Sequence, residues 1–331
     1  MADKFRFVIV GTGNISNTYA KAIGNIREAE IVGTVSRGMR KPEWASSGLE
    51  VESSLISIKA GYDAVIICTP NSFHHEGTIE AANLGRHVLC EKPIDISLPS
   101  VDSMIGACRK AGVKLSVAYQ RRMSPDIKAV KELLDAKVLG RVFAAELTIN
   151  NYRDNNYYRS GKYRGTWAID GGGPFMQQAS HYIDIYGWYF GKPSKTVSMT
   201  DTFIHDIEVE DHGAAIMRHE NGMIGVIVAS TAAKPGFDAR LEIHSEKGTV
   251  LLENDVIVKW AVDGVPNPSR PHEMKIMSGA SSHTVADTSL HEAIIRDFIL
   301  AVREDREPLV TGESARLATE IILEVYGNKT S

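Results

Sequence analysis

Cysteine is scarce in this 331-residue chain: Cys68, Cys90 and Cys108 are all there are, an odd number without C-x-x-C spacing. That excludes a disulfide framework and a paired-cysteine zinc site, and leaves buried thiols of a reducing compartment. No stretch approaches the roughly 18 apolar residues of a membrane span. The apolar run in "MADKFRFVIVG" is too short for a signal peptide. Excess charge of either sign is also missing. Thirty-seven Lys and Arg against 41 Asp and Glu leave a formal charge of −4, which gives no reason to expect nucleic acid or an anionic membrane as a partner. Nowhere do His, Asp and Cys fall at metal-ligand spacing, so no metal is expected, and no serine sits in a nucleophile elbow. Internal repeats and low-complexity tracts are absent. A soluble cytoplasmic protein is the expectation.

What is present suits two domains, with an apolar fraction of 43% and 24% charged residues. Up to about residue 120, short β-branched runs ("FRFVIV", "EIVGTV", "DAVIICTP", "HVLCEKP", "KLSVAY") alternate with helical spacing ("SNTYAKAIGNI", "HHEGTIEAANLG", "SVDSMIGACRKAG"). Alternation of this kind predicts a doubly wound parallel (Rossmann) sheet. The connection from Ser36 to Tyr62 has only weak helical pattern. Residues 121–331 then form a second, α+β domain. "SPDIKAVKELLDA" is a helix with Ser124 or Asp126 as cap and Pro125 at its first position. Successive strands after residue 195, with turns at "ENG" and "EKG", predict a large, mostly antiparallel open sheet with helices on one side. Residues 264–288 read as loop. Two helices end the chain, with the option of packing back on the first domain.

"VIVGTGNIS" places Gly11, Thr12, Gly13, Asn14 and Ile15 between a strand and a helix. The first glycine permits a tight turn, and the second lets backbone approach a pyrophosphate at the helix N-terminus. Ser16 stands where a third glycine is usual and is small enough for the same close packing. At the end of the second strand, an Asp or Glu would bind a free ribose 2′-hydroxyl. Here Ser36, Arg37 and Arg40 stand instead. Guanidinium groups pair with a 2′-phosphate, so NADP(H) is favoured as cofactor, with Arg37 the leading ligand, and NAD(H) remains open.

Ligands in such sheets bind outside the carboxyl ends of the strands. Thr69, Pro70, Asn71, Glu91 and Lys92 therefore line the crevice, and His74 starts the next helix beside the cofactor. The Lys92 ammonium could stabilise developing negative charge on a substrate oxygen. In the second domain, "GGGPFMQQASHYIDIYGWYF" reads as a glycine-rich turn entering a helix, with Gln177, His181 and Asp184 at i, i+4 and i+7 on one face. An imidazole near its reference pKa can take up or return the proton of a secondary alcohol. Arg121 and Arg122 follow the fifth strand. Tyr157, Tyr158, Tyr163, Arg164 and Trp167 lie in a polar-aromatic stretch before the glycines, suited to sugar rings and anionic groups, or simply to packing a long loop.

The motifs "GTGNIS", "CTPNSFH", "EKP", "RGTWAIDGGG" through "SHYIDIYGWYFG", "EVEDHGAAIMRHENG" and "HEAIIRDFILAVRED" cover nearly the whole chain. In them the sequence resembles the glucose–fructose oxidoreductase/inositol dehydrogenase/MocA (Gfo/Idh/MocA) family of NAD(P)-dependent oxidoreductases. The resemblance implies a dinucleotide-binding first domain and a second domain whose open sheet makes homodimers or homotetramers. It also implies a catalytic pair, the lysine of EKP and the histidine after the glycines, here Lys92 and His181. With the residues read above, the candidate substrate ligands are Lys92, Arg121, Tyr163, Arg164, Trp167, Gln177, His181 and Asp184. Gln177 departs from the aspartate frequent in the family, and a glutamine cannot relay a proton. The implied activity is hydride transfer to or from a hydroxyl or carbonyl carbon of a sugar, sugar derivative or cyclitol. Two alternatives accompany it: transient oxidation by tightly held NAD during glycoside cleavage, and a non-catalytic sugar or dinucleotide sensor.

Overall fold

The computed structural model describes residues 3–269 and 287–327. The loop expected over 264–288 lies mostly outside them. Two compact units make up the chain: Met1–Gln120 with Val285–Arg316, and Arg121–Thr284 with Leu317–Ser331.

The first unit opens with β1 (Phe5–Val10), α1 (Asn14–Gly24), β2 (Ala29–Val35) and β3 (Glu50–Glu52). It continues with β4 (Ala64–Ile67), α2 (His74–Asn83), β5 (His87–Cys90), α3 (Leu98–Ala111) and β6 (Leu115–Val117). The sheet order is β3-β2-β1-β4-β5-β6, and every pair is parallel. Phe7, Val8, Ile9 and all of β4 are buried, as strands covered on both faces by crossover helices must be. The three-residue β3 falls in the connection whose pattern was weak; so short a strand carries too few side chains to show a period. The direction in which successive strands are added across the sheet reverses between β1 and β4, which opens a crevice beyond their carboxyl ends.

In the second unit come α4 (Pro125–Asp135), β7 (Val142–Asn150), α5 (Asn155–Arg159), α6 (Pro174–Gln177) and α7 (Ser180–Phe190). Six strands follow: β8 (Lys195–Asp201), β9 (His212–Arg218), β10 (Ile224–Ser230), β11 (Arg240–Ser245), β12 (Gly248–Glu253) and β13 (Val256–Val262). Their order is β13-β12-β11-β7-β10-β9-β8, with β7 and β10 parallel and the other pairs antiparallel. Alternation along β7 and β9 to β11 sends Leu147, Ile149, Met217, Ile227, Leu241 and Ile243 inward. Those side chains pack against Ile127 and Val130 of α4 and Ile183 and Tyr186 of α7. The outward face carries Val197, Met199, Ile216 and Ile224, all exposed.

Ser124, one of the two expected caps, stands at the N-cap of α4, but its side chain makes no capping hydrogen bond. Pro125 does begin the helix, but the Ser124 hydroxyl donates to the Asp255 carbonyl at 3.0 Å and Asp126 accepts the Ile257 amide at 2.8 Å. The two side chains tie the helix to β13 and to the turn just before it. The last helices are α8 (Ser289–Arg303) and α9 (Gly312–Gly327), and the division between the units falls inside α9. Ile295, Phe298 and Ile299 of α8 join the first unit's core with Phe5, Phe7 and Tyr19, a spacing that puts one apolar stripe on the sheet. No helix among the described residues is long and apolar enough to cross a membrane. All three cysteines are free and buried, and burial pushes the Cys108 thiol up to about 12.

Candidate active site

The two glycines after β1 are there for different reasons. Gly11 has φ +101, and a Cβ on it would lie 2.7 Å from the Cys68 carbonyl oxygen, so the backbone just after β4 demands a glycine. Around a Cβ on Gly13 no protein atom comes within 4 Å. Gly13 is also the N-cap of α1 and offers no side chain to the first turn's amides. Those amides and that open space fit an anionic group, such as a dinucleotide pyrophosphate, approaching the backbone. Ser16 packs inward, donating to the Gly13 carbonyl at 2.7 Å and accepting from the Trp44 indole at 3.0 Å. Thr12 reaches Ser36 at 3.5 Å, while Arg37 and Arg40 are exposed. Arg37 pairs with Glu76 and lies 5.0 Å over the Phe73 ring. Asn14 and Ile15 open α1.

At the tips of β4 and β5, polar side chains build the rim. His74 is buried and sets its two ring nitrogens 2.9 Å from the carbonyls of Thr69 and Pro93. It thereby clasps the segments that follow the two strands and has no ring nitrogen left over for a ligand. Glu91, expected at the cofactor, is likewise engaged within the protein. It accepts the Tyr19 hydroxyl at 2.7 Å and the Lys92 amide at 3.0 Å. Both contacts fix the turn from which half-buried Lys92 projects. Thr69, Pro70 and Asn71 are half-buried on the same carboxyl edge as Gly11–Gly13. Nicotinamide dinucleotide therefore fits this edge by its donors and its room.

In the second unit the triple glycine is explained by the protein's own packing. A Cβ on Gly172 (φ +150) would sit 2.2 Å from the Tyr326 hydroxyl, and one on Gly173 would sit 1.9 Å from the Glu210 carbonyl oxygen. The Glu210 carboxylate accepts the amides of Gly173 at 3.0 Å and Phe175 at 3.4 Å, and the Tyr326 hydroxyl at 2.9 Å. Burial raises the Glu210 carboxyl above its ordinary value. Sequence reading missed Glu210 as a support for the turn; its signal was the acidic run "EVEDHG".

Gln177 and His181 do not share a helix face as expected. Gln177 ends α6 and His181 is the second residue of α7, because the Ala179 amide reaches back five residues to the Pro174 carbonyl at 2.8 Å. That wider turn inserts one residue and rotates the faces apart. Gln177 donates to the Asp170 carbonyl at 2.7 Å. Asp184 departs further from expectation. It is 1% exposed and receives Arg122 Nε and Nη2 at 2.7 and 2.5 Å. The carboxylate is engaged inside the unit and offers no surface to a ligand. Arg121 pairs with Asp255 and lies 4.5 Å over the Tyr182 ring.

Before the glycines, Trp167 donates its indole N–H to the Glu208 carbonyl at 3.0 Å, and Tyr158 donates to Thr231 at 2.8 Å. Tyr157 has Arg164 over its ring at 4.2 Å, and Arg164 also faces Tyr163 at 5.3 Å. Arg153, absent from the sequence-derived set, lies 5.6 Å from the same Tyr157 ring. Among the described residues no group of three His, Cys, Asp or Glu could hold a metal.

Comparison with known proteins places this geometry. The oxidoreductase family model with an NAD-binding Rossmann fold matches residues 5–119, and the GFO/IDH/MocA C-terminal domain matches residues 127–251. The structure of the WlbA dehydrogenase from Bordetella pertussis, in complex with NADH and UDP-GlcNAcA, is 30% identical with a TM-score of 0.84, covering 98% of this chain and 96% of that one. Inositol 2-dehydrogenase of Rhizobium meliloti (strain 1021) is 28% identical, over 80% of this chain and 81% of that protein. Myo-inositol 2-dehydrogenase of Thermotoga maritima is 25% identical, over 95% and 92%. With a parallel dinucleotide unit, a mixed open sheet and likeness over almost the full length, the chain belongs to the Gfo/Idh/MocA family of oxidoreductases, whose first domain is an NAD-binding Rossmann fold.

Proposed function

We propose that this oxidoreductase moves hydride between a nicotinamide dinucleotide and a secondary hydroxyl or carbonyl carbon of a sugar, sugar derivative or cyclitol. One observation carries the reading. The uncapped amides after Gly13 and the side chain of Lys92 lie on the same carboxyl edge of one parallel sheet, where such sheets bind ligands. The bound nicotinamide supplies the hydride acceptor or donor. Lys92 donates a hydrogen bond to the substrate oxygen and stabilises the negative charge it develops during oxidation. His181 takes the hydroxyl proton as the carbonyl forms, and returns one to that oxygen in reduction. Gln177 cannot relay a proton, so His181 exchanges protons without a neighbouring acid at that position.

The cofactor choice rests with the end of β2. Ser36 and Arg37, not an Asp or Glu, follow β2, and Arg37 rests on the Phe73 ring and pairs with Glu76, the two charged side chains being 72% and 59% exposed. Exposed pairs contribute about 1 kcal/mol or less, so a phosphate can displace Glu76. That supports NADP(H) as the favoured cofactor with NAD(H) also accepted. The outward face of the second unit's sheet supports a homodimer or homotetramer. Val197 stands opposite Ile216, and Ile216 opposite Val226, in a contiguous apolar patch.

The test of the catalytic roles is a pair of variants, Lys92→Ala and His181→Ala, assayed for cofactor binding and for turnover on a panel of sugars, sugar acids and inositols. Both are expected to bind cofactor and lose about 100-fold or more in kcat, the usual scale for an acid–base group. Near-wild-type turnover in either would remove its role.

A further inference from the structure

The connection between β7 and α6 holds four cations, Arg153, Arg159, Lys162 and Arg164, against two carboxylates, Asp154 and Asp170. Each carboxylate accepts a backbone amide within the connection. Asp154 takes Tyr157 N at 2.9 Å and caps α5, and Asp170 takes Gly165 N at 2.8 Å. Arg159 and Lys162 face solvent. Arg153 and Arg164 behave otherwise. They converge on one aromatic ring, with guanidinium carbons 5.6 and 4.2 Å from the Tyr157 centroid, which brings two like charges within about 10 Å of each other. Arg153 is 8% exposed. Arg164 Nε is buried with no hydrogen-bond partner among the described residues. Burial holds the Arg153 guanidinium below its ordinary value, and the charge of Arg164 acts in the same direction.

Arg153 donates to the Tyr152 carbonyl at 2.8 Å, and two converging cations attract a further negative group. The planar forks of arginine match the oxygens of a carboxylate or phosphate, and the aromatic faces hold the guanidiniums in place for it. The cluster also adjoins the segment that bears His181. Gln178, three residues before that histidine, donates to the Tyr157 hydroxyl at 3.3 Å.

We propose that Arg164, backed by Arg153, receives an anionic group of the substrate, so that the protein acts on a negatively charged sugar in preference to a neutral one. This rests on the dehydrogenase reading above and adds to it the charge of the substrate. Tyr157 and Tyr163 act as positioning residues that fix the orientation of Arg164.

Calorimetric titration of the full-length, cofactor-loaded protein with D-glucose, D-glucuronate, D-glucose 1-phosphate and UDP-glucuronate tests it. At least one anion is expected to bind about tenfold or more tightly than glucose, an advantage that shrinks as salt rises. Glucuronate separates a carboxylate from a phosphate as the recognised group. Arg164→Gln should abolish the advantage and keep the melting temperature. Arg164→Lys, which retains charge without the fork, should lose several-fold and serves if the glutamine variant melts early. The proposal is overturned if glucose binds as well as every anion, if no anion binds, or if both Arg164 variants hold anions as the wild type does. Failure of the dehydrogenase reading looks different: no sugar, charged or neutral, would be oxidised or reduced with either cofactor.

Discussion

Replacing Asp184 by asparagine removes the charge that faces Arg122 inside the second unit. Wild-type Arg122 is 2% exposed and Asp184 1%, so the guanidinium left behind has no water to turn to. One close neighbour is the Trp188 ring, 5.0 Å from the guanidinium carbon, which attracts a cation but cannot accept two N–H bonds. Breaking a buried pair on one side costs about 3–5 kcal/mol. For a unit of this size that lowers the melting temperature by roughly 10 °C. Arg122→Met combined with Asp184→Leu should recover most of the loss, because a well-packed apolar pair needs no counter-charge. Calorimetric melting of the single and double variants measures both, with substrate KM followed in parallel. The reasoning is refuted if Asp184→Asn melts like the wild type while its KM rises about tenfold, for then the carboxylate serves a ligand and not the fold.

Arg37→Ala should erase a preference for NADP(H) in kcat/KM while leaving NAD(H) rates nearly unchanged; an unaltered cofactor ratio would show that Arg37 does not meet the 2′-phosphate. Ile216→Asp, placed in the outward apolar patch, should shift the protein to monomer in light scattering without unfolding it. Burial holds the imidazoles of His87 and His219 below the ordinary histidine value, so the folded chain stays neutral there while the unfolded chain takes up protons. Their contribution to stability is complete above about pH 6.5 and is lost as pH falls through the lowered folded values. A His87→Asn/His219→Gln double variant should flatten the fall of melting temperature between pH 7 and pH 5.

Much of the site's frame was legible because it is local. Gly11 and Gly13 sit between a strand and a helix that are both short-range patterns, and Lys92 follows β5 by two residues. The outcome at Gln177 and His181 was not legible. A single amide reaching five residues back to Pro174 changes which side chains share a face, and apolar spacing is nearly blind to one inserted residue. The partners of Glu91 and His74, Tyr19 and the carbonyls of Thr69 and Pro93, are tertiary neighbours that no local pattern records.

Periodicity and turn chemistry in the amino-acid order thus sufficed for the class of each sheet and the strand–glycine–helix junction, while the resemblance of its motifs indicated the family. Tertiary structure alone decided that Asp184 belongs to Arg122, that Glu210 and Tyr326 require the glycines at 172 and 173, and that Arg153 joins Arg164 at one ring. The reason is physical. Apolar patterning records which face of an element leaves water, whereas a charge chooses its partner only after folding has set distance, burial and geometry around it.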